Sequence, residues 1–520
     1  MQQCVCILTA GRGTRMGSLG DHLNKSLLPI NQKAAISWII EKFPADTQFV
    51  IAVGYKSKQV REYLALTHPT RQFEFVDVEN FDGIGSGPGQ SLLACSDHLQ
   101  KPFYFVSCDT LWHGDLVKNN EYDWLAVAEV PESETALYCN VEIQNQYAVG
   151  LKDKAPVVGD RYKAFTGLGF ILNFDSFWKG LSQNQLIADE HQVSNGIQAL
   201  INHHNVGVVE IDWMDIGDEQ KYRAALRLFE NYDFAKQDEC LYIYEGRVIK
   251  YFKDRSIASK RVQKARLNPA VFPEVSYFDG NFYGYEFISG MTLYKENNVS
   301  VFSKLLEWLD AELWLDIDVN KKTFSKQCNE FYFKKSFLRL DEFDKKYPGF
   351  DKQCSINGEI IPSARTLLGQ LDWHPLSDGL PSFIHGDLQF DNIIYDPLAA
   401  KFTLIDWRQD FAGQVEYGDR YYDFAKLLGG IILNYDLIKL ALMDFREGNE
   451  GVYFDFAHRY GGQRLTDVLS SFLKSNGYDF SRVELLAGII FINMSPLHHY
   501  PFDKILLCLG RQIIKKTSRK

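Results

Sequence analysis

The sequence predicts an α/β domain with a mainly parallel, doubly wound sheet, followed by an α+β domain of two lobes. Over about the first 110 residues, short apolar runs alternate with amphipathic stretches, as strands and helices do in such a sheet. The stretch 241–251, with Gly246 at its turn, is typical of an antiparallel hairpin, and the chain after residue 301 is mainly helical. Because 520 residues are too many for one hydrophobic core, at least two domains are expected.

The order of the predicted elements locates the ligand-binding edge of the first sheet. Strands are predicted at 4–9, 49–53, 73–76, 103–106, 137–143 and 165–172, and helices at 34–43, 57–65, 88–98 and 219–230. Ligands bind beyond the carboxyl ends of parallel strands, here the loop after Thr9 and the residues after Val106. With a boundary at 231–236, the predicted domains are 1–232 and 236–520, the latter with a small lobe at about 236–292 and a helical lobe at about 293–520.

Composition and charge restrict the class of protein. Hydrophobic residues make up 46%, charged residues 24% and aromatic residues 14%, as in folded soluble proteins. The net charge of −11 argues against a nucleic-acid partner, and neither a signal peptide nor an apolar run of membrane-spanning length is found. We expect a cytoplasmic enzyme for small-molecule substrates, without membrane insertion, and leave a homo-oligomer open. The nine cysteines form no CxxC pair, so reduced, mostly buried thiols are expected.

A glycine-rich loop follows the first strand and has the composition of a phosphate site. It reads TAGRGTRMG over residues 9–17, where glycines let backbone N–H groups approach a phosphate closely. Arg12 and Arg15 within the loop suit a triphosphate, and the spacing fits neither the dinucleotide fingerprint nor the P-loop. The candidate nucleotide ligands in this loop are Ala10, Gly11, Gly13 and Thr14.

This loop and the segment KSLLPI at residues 25–30 together resemble the sugar-nucleotide pyrophosphorylase and phosphocholine cytidylyltransferase (NTP transferase) family. The family reads GxGTR followed by KP-L-LP, and Ser26 departs from it by replacing the proline. The resemblance extends over roughly residues 1–230. It implies that Arg15 stabilises the leaving phosphates and that Lys25 stabilises charge at the α-phosphorus.

The same resemblance implies a metal site and a substrate site. Asp109 ends a predicted strand, and Asp215 lies in WMDIG, which resembles the family's W-x-D-x-G segment, so the two aspartates are expected to hold Mg²⁺. Gln90, in GSGPGQSL, stands where the family has a turn that contacts the base or the substrate. Lys163 is expected to bind the substrate phosphate, with Lys152 and Lys154 as alternatives.

The second half carries the most specific motif of the chain. HGDLQFDNIIY at residues 385–395 and LIDW at 404–407 together resemble the aminoglycoside phosphotransferase and choline kinase family. The resemblance implies that Asp387 accepts the substrate hydroxyl proton and that Asn392 and Asp406 hold Mg²⁺ on a triphosphate. His385 is expected to orient the loop, and Asp423, in YYDFAK, to have a structural role.

Upstream segments also follow this second family, with two departures. Lys250 lies on a predicted strand where the family has its α/β-phosphate ligand, and Glu286 lies in the segment expected to join the lobes and contact the nucleotide base. However, the loop before Tyr242 lacks glycines, and residues 254–268 contain no glutamate to pair with Lys250.

The two resemblances predict a bifunctional enzyme that phosphorylates a hydroxylated metabolite with ATP and then transfers a nucleotidyl group to it from CTP or another NTP. Mg²⁺ is expected at both sites, and the product is expected to serve surface glycan synthesis. One alternative is a nucleotidyltransferase with a catalytically inactive, kinase-like regulatory domain, and another is a structural scaffold. The metabolite stays open between choline, another amino alcohol, a sugar and a polyol. An aromatic cage would favour choline, whereas core packing would explain the same residues: Trp308, Trp314, Trp373, Trp407, Tyr417, Tyr421 and Tyr422.

Overall fold

The computed structural model describes residues 2–115, 120–183, 185–229, 238–296, 298–448 and 451–518. It divides into two compact units, one of Met1–Phe229 with Leu241–Glu245 and the other of Glu230–Cys240 with Gly246–Lys520. The predicted boundary at 231–236 lies outside the described residues.

The first unit has a central sheet with helices between its strands. Its strands are β1 (Cys4–Leu8), β2 (Pro29–Ile30), β3 (Lys33–Ala34), β4 (Gln48–Val53), β5 (Gln72–Asp77), β6 (Phe103–Ser107), β7 (Thr110–His113), β8 (Asp123–Ala128), β9 (Cys139–Gln144), β10 (Tyr147–Asp153), β11 (Tyr162–Ile171), β12 (Leu186–Ile187), β13 (Glu190–His191), β14 (Val206–Glu210) and β15 (Asp212–Asp215). Its helices are α1 (Ala35–Ile40), α2 (Ser57–Thr67), α3 (Pro88–Ala94), α4 (Phe174–Leu181), α5 (Ser194–His203) and α6 (Glu219–Arg227).

The central sheet is mixed, with the order β5-β4-β1-β6-β11-β8-β14-β10-β9. The strands β5, β4, β1 and β6 are parallel, and β1 is buried along its whole length, as expected for a strand covered on both faces. Beyond β6 the pairs are antiparallel except for β8 with β14, so the prediction of a mainly parallel sheet is correct for the first four strands only. One of these antiparallel pairs is a hairpin: Asn145 and Gln146 adopt positive φ between β9 and β10, which joins the two strands without a crossover helix.

The carboxyl ends of the parallel strands bring three loops together. The backbone N–H of Tyr55, after β4, donates to the carbonyl of Ala10, after β1, over 2.9 Å. A Cβ atom at Gly54 would lie 2.8 Å from that carbonyl and 2.9 Å from the Phe81 side chain, so only glycine fits this close approach. The phosphate-loop candidate therefore lies at the edge that the strand order predicts.

The second unit combines short strands with a helical body. Its strands are β17 (Arg247–Phe252), β18 (Val275–Asp279), β19 (Phe282–Glu286), β20 (Met291–Thr292), β21 (Cys354–Ile356), β22 (Glu359–Ile361), β23 (Pro381–Ser382), β24 (Ile393–Asp396), β25 (Lys401–Leu404), β26 (Gly418–Asp419), β27 (Met443–Gly448) and β28 (Gly451–Phe456), while β16 (Glu239–Tyr244) has residues in both units. Its helices are α7 (Arg255–Leu267), α8 (Val299–Glu312), α9 (Lys321–Asn329), α10 (Lys335–Lys346), α11 (Ala364–Gly369), α12 (Trp373–Ser377), α13 (Arg420–Ile432), α14 (Tyr435–Lys439), α15 (Gly462–Ser475), α16 (Phe480–Met494) and α17 (Phe502–Thr517).

Two sheets position the candidate kinase residues, and a third was not predicted. Strands β17, β19 and β18 form an antiparallel sheet, and β24 pairs with β25 in a hairpin. The unpredicted sheet, of order β22-β21-β28-β27, lies within the helical lobe. Along β28, Val452, Phe454 and Phe456 are buried and alternate with more exposed residues, which is the pattern of a strand with one covered face.

Helix α16 supplies much of the core of the helical body. The segment Phe480–Leu497 is long and apolar enough for a membrane span by composition, and 61% of it is buried inside the protein. Its closest partner is α17, where a Cβ atom at Gly510 would lie 2.6 Å from the carbonyl of Gly488, so the two helices approach each other at their backbones. The extent of burial of α16 is typical of a helix in the core of a folded domain.

Candidate active sites

In the first unit, a left-handed glycine and the Asn24 side chain fix the conformation of the loop after β1. Gly13 adopts a φ of 66°, in the left-handed region that favours glycine, and precedes a 3₁₀ turn over Thr14–Leu19. Asn24 donates from Nδ2 to the carbonyls of Thr9 (3.0 Å) and Tyr55 (2.7 Å), which ties the loop to the next strand end. The sequence analysis missed Asn24, although its role as N-cap of the turn Lys25–Leu27 is a recognisable signal.

The ligand candidates in this loop differ in exposure. Gly11, Thr14 and Arg15 are exposed, whereas Ala10 is buried. Arg15 is close enough to Asp109 to act on its charge. Arg12, by contrast, forms an ion pair of 3.0 Å with Asp82. Arg15 is therefore the loop cation whose charge acts on the predicted metal ligand Asp109.

Lys25 and the two predicted metal ligands come together at the end of β6. The Nζ atom of Lys25 lies 2.7 Å from Oδ2 of Asp109 and 2.7 Å from the carbonyl oxygen of Gly217. A Cβ atom placed at Gly217 would lie 2.8 Å from Oδ1 of Asp215 and 3.7 Å from Oδ2 of Asp109, so both carboxylates border the same small volume. Burial would raise the pKa of Asp109, but Lys25 and Arg15 outweigh it and lower the pKa, which keeps the carboxylate ionised.

Asp215 has partners that the sequence analysis did not identify. The Tyr138 hydroxyl donates to its Oδ2 over 2.7 Å, and Lys221 Nζ lies 2.9 Å from the same oxygen. Lys221 also hydrogen-bonds Tyr138 and lies 3.3 Å from Glu134. Burial raises the pKa of Tyr138 to about 12, so its hydroxyl stays protonated as a donor. The position of Lys221 in the first turns of α6, six residues after Asp215, was the available signal.

The donor set at Asp109 and Asp215 fits Mg²⁺. Two carboxylates at one strand edge are the ligands that Mg²⁺ takes from proteins, the remaining positions being filled by water and substrate phosphates. Within the described part of the chain, no group of three or more His, Cys, Asp or Glu side chains forms a metal cluster. The neighbouring Cys108 is half-buried, and its desolvation raises its pKa to about 12, which argues against a nucleophilic thiolate.

The other predicted residues of this unit lie in different surroundings. Gln90 is half-buried in the first turn of α3, and a Cβ atom at Gly87 or at Gly89 would lie 2.8 or 2.7 Å from the carbonyl of His191, so α3 begins in close contact with β13. Lys163 forms ion pairs with Glu210 (2.6 Å) and Glu129 (3.3 Å) on the sheet. These contacts do not bring Lys163 to Asp109. Of the two alternatives, Lys154 pairs with Glu190 at 2.8 Å, and no contact of the described residues assigns Lys152.

In the second unit, the HGD segment is held by Asp423. Its carboxylate accepts hydrogen bonds from the backbone N–H groups of His385 (2.8 Å) and Gly386 (2.7 Å) and from the Trp314 indole (3.2 Å). His385 in turn contacts the Ile405 carbonyl through Nε2 and accepts from the Asp387 N–H through Nδ1. Burial lowers the pKa of His385 to about 4, so the ring is neutral and serves to hold the loop.

Asp387, Asn392 and Asp406 converge at the β24–β25 hairpin. Asn392 donates from Nδ2 to the Asp387 carbonyl over 2.8 Å, and its own carbonyl accepts the N–H of Ile405 over 2.9 Å. Because the amide nitrogen donates, the amide oxygen is the atom able to bind a cation. Asp406 adopts a φ of 53°, an unusual conformation for a residue with a side chain. One carboxylate and one amide oxygen thus fit Mg²⁺ that also binds phosphates.

Lys250 pairs with Asp406 rather than with a glutamate. Its Nζ lies 2.5 Å from Oδ1 of Asp406, and the guanidinium of Arg261, on α7, lies 2.5 Å from the same oxygen. Helix α7 carries no carboxylate, as the sequence indicates, and its Arg261 contacts Asp406 instead. Burial lowers the pKa of Lys250, whereas Asp406 raises that of Arg261 against the effect of burial. Sequence analysis missed Arg261.

The segment joining the lobes borders a small cavity. Glu286, at the end of β19, is exposed and lies 3.8 Å from Arg247, so its side chain points to the surface. The residues after it border a cavity of about 220 Å³, together with the β24–β25 hairpin. The lining residues are Phe287, Ile288, Ser289, Ile394, Asp396, Lys401 and Thr403.

The aromatic residues named as a cage for a quaternary ammonium are spread through the unit. Trp314 and Trp407 are fully buried, packing against Phe424 and Phe272. Trp308 packs on Phe402, near a different cavity. Core packing therefore explains Trp314 and Trp407, whereas Trp308 lines a cavity of about 490 Å³.

Comparisons with known proteins agree with both resemblances. The family model of the MobA-like NTP transferase domain matches residues 5–120, and that of the phosphotransferase enzyme family matches residues 336–461. "Bifunctional protein GlmU" of Methanocaldococcus jannaschii is 26% identical over 218 residues, covering 41% of this chain and 50% of the relative. Its counterpart in Methanococcus vannielii is 22% identical over 219 residues, covering 41% and 51%. The chain thus spans about half the length of these curated relatives.

Solved structures resemble the chain over a similar extent. UDP-glucose pyrophosphorylase complexed with UDP-glucose is 17% identical, with a TM-score of 0.39, covering 44% of this chain and 98% of that one. UDP-glucose pyrophosphorylase from Acinetobacter baumannii is 14% identical, with a TM-score of 0.37, covering 44% and 94%.

Proposed function

We propose that this chain, a nucleotidyltransferase domain fused to a kinase domain, carries out two consecutive reactions on one metabolite. The kinase half phosphorylates a hydroxyl group with ATP, and the transferase half joins that phosphate to the nucleotidyl group of CTP or another NTP, releasing pyrophosphate. The observation that carries this proposal is that each unit brings its own set of catalytic candidates together. The sets are Lys25, Asp109 and Asp215 in the first unit and Asp387, Asn392 and Asp406 in the second.

In the kinase half, Asp387 receives the proton of the attacking hydroxyl. Lys426 lies 2.8 Å from its Oδ1 and forms an ion pair with the carboxylate, while Gln389 donates to the same oxygen. Mg²⁺ held by Asn392 and Asp406 would supply charge neutralisation on the triphosphate. Lys250 and Arg261 place two buried cations beside Asp406, where the phosphates of ATP would bind.

In the transferase half, the phosphate oxygen of the phosphorylated metabolite attacks the α-phosphorus of the NTP, and the bond to pyrophosphate breaks. Lys25 stabilises the negative charge that develops at the α-phosphorus, and Arg15 stabilises the leaving phosphates. Mg²⁺ held by Asp109 and Asp215 would neutralise charge on both phosphates. Tyr138 and Lys221 orient the Asp215 carboxylate.

The same proposal includes the compartment, the partners and the fate of the product. The acidic chain acts in the cytoplasm on small molecules, without nucleic acid or membrane insertion, and its product feeds surface glycan synthesis. Its homo-oligomeric state is open. One observation favours a second candidate, a kinase-like domain without activity: α7 offers Lys250 no carboxylate, and Asp406 is paired with two cations.

Asp387→Asn distinguishes the two candidates, because the amide keeps the shape of the side chain but cannot take the proton. Phosphorylation of the metabolite should fall by roughly 10² to 10⁴. Supplied with the phosphorylated metabolite, the variant should form the nucleotide product at the normal rate. Asp467→Asn, an exposed change on α15, is the matched control. If no alcohol or sugar elicits ADP formation that depends on Asp387, the inactive-domain candidate is the better account.

A further inference from the structure

Three cations lie near the proposed base Asp387. Lys426 contacts the carboxylate directly, at 2.8 Å. Lys335 and Arg408 lie over the ring of Phe331, with Nζ at 4.2 Å and Cζ at 5.1 Å from its centroid. The ring itself is stacked on Phe411 at 4.1 Å, so the platform under the two cations is fixed.

Two of these cations, Lys335 and Arg408, form no ion pair with a carboxylate within the described part of the chain. The ammonium group of Lys335 forms no ion pair or hydrogen bond with any described residue, although the residue is at least half-buried. Arg408 donates from Nε to the Asp410 carbonyl, while the Asp410 carboxylate pairs with Lys260 at 2.8 Å. Burial lowers the pKa of Lys335, and the nearby Arg408, Lys426 and Arg339 lower it further, whereas Asp387 raises it by a smaller amount.

The carboxylates that border this region are already neutralised. Asp387 pairs with Lys426, and Asp406 pairs with Lys250 and Arg261. Partly buried cations that repel one another cost stability unless a ligand supplies the missing negative charge. The cluster of Lys335 and Arg408 thus has the electrostatics of an anion site, next to the group that would take the hydroxyl proton.

We propose that the metabolite phosphorylated by the kinase half carries an anionic group, a carboxylate or a phosphate, and that Lys335 and Arg408 bind this group. The inference rests on the proposed kinase function. In the reaction, the acceptor hydroxyl oxygen forms a bond to the γ-phosphorus of ATP, the bond to ADP breaks, and the proton passes to Asp387. A quaternary ammonium acceptor such as choline would be repelled by the same two cations.

Matched acceptors test the charge requirement. Glycerol, glycerate, glycerol phosphate and choline present a hydroxyl with no charge, a carboxylate, a phosphate or a cation. Wild-type protein should form ADP faster with glycerate or glycerol phosphate than with glycerol or choline, and the faster of the two identifies the anion. Equal or faster turnover of the neutral or cationic acceptor would overturn the proposal.

Variants assign the effect to the two residues. Lys335→Met and Arg408→Met should each raise KM for the anionic acceptor by about 10- to 100-fold, the scale of a charge-assisted hydrogen bond, with KM for ATP unchanged. Lys335→Arg should restore most of the loss. Lys334→Met, an exposed neighbour, is the matched control. A rise in KM for ATP instead would assign these cations to the nucleotide and refute the proposal.

A binding measurement separates this inference from the proposed function. If no acceptor elicits ADP formation, kinase activity fails, but an anion site still predicts that glycerate or glycerol phosphate raises the unfolding temperature of wild-type protein and of Asp387→Asn. The shift should be lost in Lys335→Met and retained in Lys334→Met. No shift in the wild type would reject the anion site itself.

Discussion

Lys25→Met offers a test of whether the buried lysine of the transferase half serves stability, chemistry or both. The lysine side chain is 8% exposed and its partner Asp109 23% exposed, and Nζ contacts both Asp109 and the Gly217 carbonyl at 2.7 Å. Breaking a fully buried pair costs about 3–5 kcal/mol, because the remaining charge loses its partner. Since Asp109 keeps some solvent, we expect a loss of about 2–3 kcal/mol, or roughly 5–10 °C in Tm.

The chemical role predicts a separate loss. Pyrophosphate release should fall by about 10² or more, the scale for removing a group that stabilises charge in the transition state. In Lys25→Met/Asp109→Asn neither side chain is charged, so stability should return to within about 1 kcal/mol of wild type while activity stays lost. Lys33→Met, which breaks a surface pair with Glu41, is the control and should cost less than about 1 kcal/mol.

Thermal unfolding and a pyrophosphate-release assay measure the two effects on the same protein samples. Near-normal turnover of Lys25→Met would refute the role at the α-phosphorus. A change in substrate affinity alone would also contradict it. If the double variant were no more stable than Lys25→Met, the ion pair would not be the source of the stability loss.

Further predictions address both units. Asp109→Ala, and more weakly Asp215→Ala, should abolish pyrophosphate release without unfolding the chain, and circular dichroism checks the fold. Asp423→Asn should lower ADP formation and destabilise the second unit by about 2–4 kcal/mol, because an amide cannot accept the bonds to the HGD segment as a carboxylate does. Burial lowers the pKa of His68 from 6.5 to about 4. The folded state therefore binds the His68 proton less readily than the unfolded chain does. The free energy of unfolding should fall as the pH drops from about 6.5 to 4. His68→Gln should flatten this pH dependence of Tm in thermal unfolding. A variant whose pH profile matched that of the wild type would contradict the prediction.

The parallel strands were predictable because buried parallel strands read as continuous apolar runs. The strand β1 and its neighbours β4 and β6 lie close to the predicted positions. The β9–β10 hairpin was not predictable in the same way, because its turn depends on the positive φ of Asn145 and Gln146, for which no glycine gave a signal. The β27–β28 hairpin was missed in a region whose neighbours are helical.

The sequence by itself was enough to locate the two candidate catalytic segments, because a motif such as HGDLQFDN followed by LIDW encodes a local strand-and-turn geometry in consecutive residues. Only the tertiary structure decided which charges meet. Lys25 hydrogen-bonds the carbonyl of Gly217, 192 residues away in the chain. Arg261 forms an ion pair with Asp406 from α7, a helix in which the sequence indicated only that no glutamate is present. The position of Lys335 over the Phe331 ring is likewise set by tertiary packing. Local patterns constrain backbone conformation, whereas ion pairs between distant residues depend on how the elements pack, which no single segment encodes.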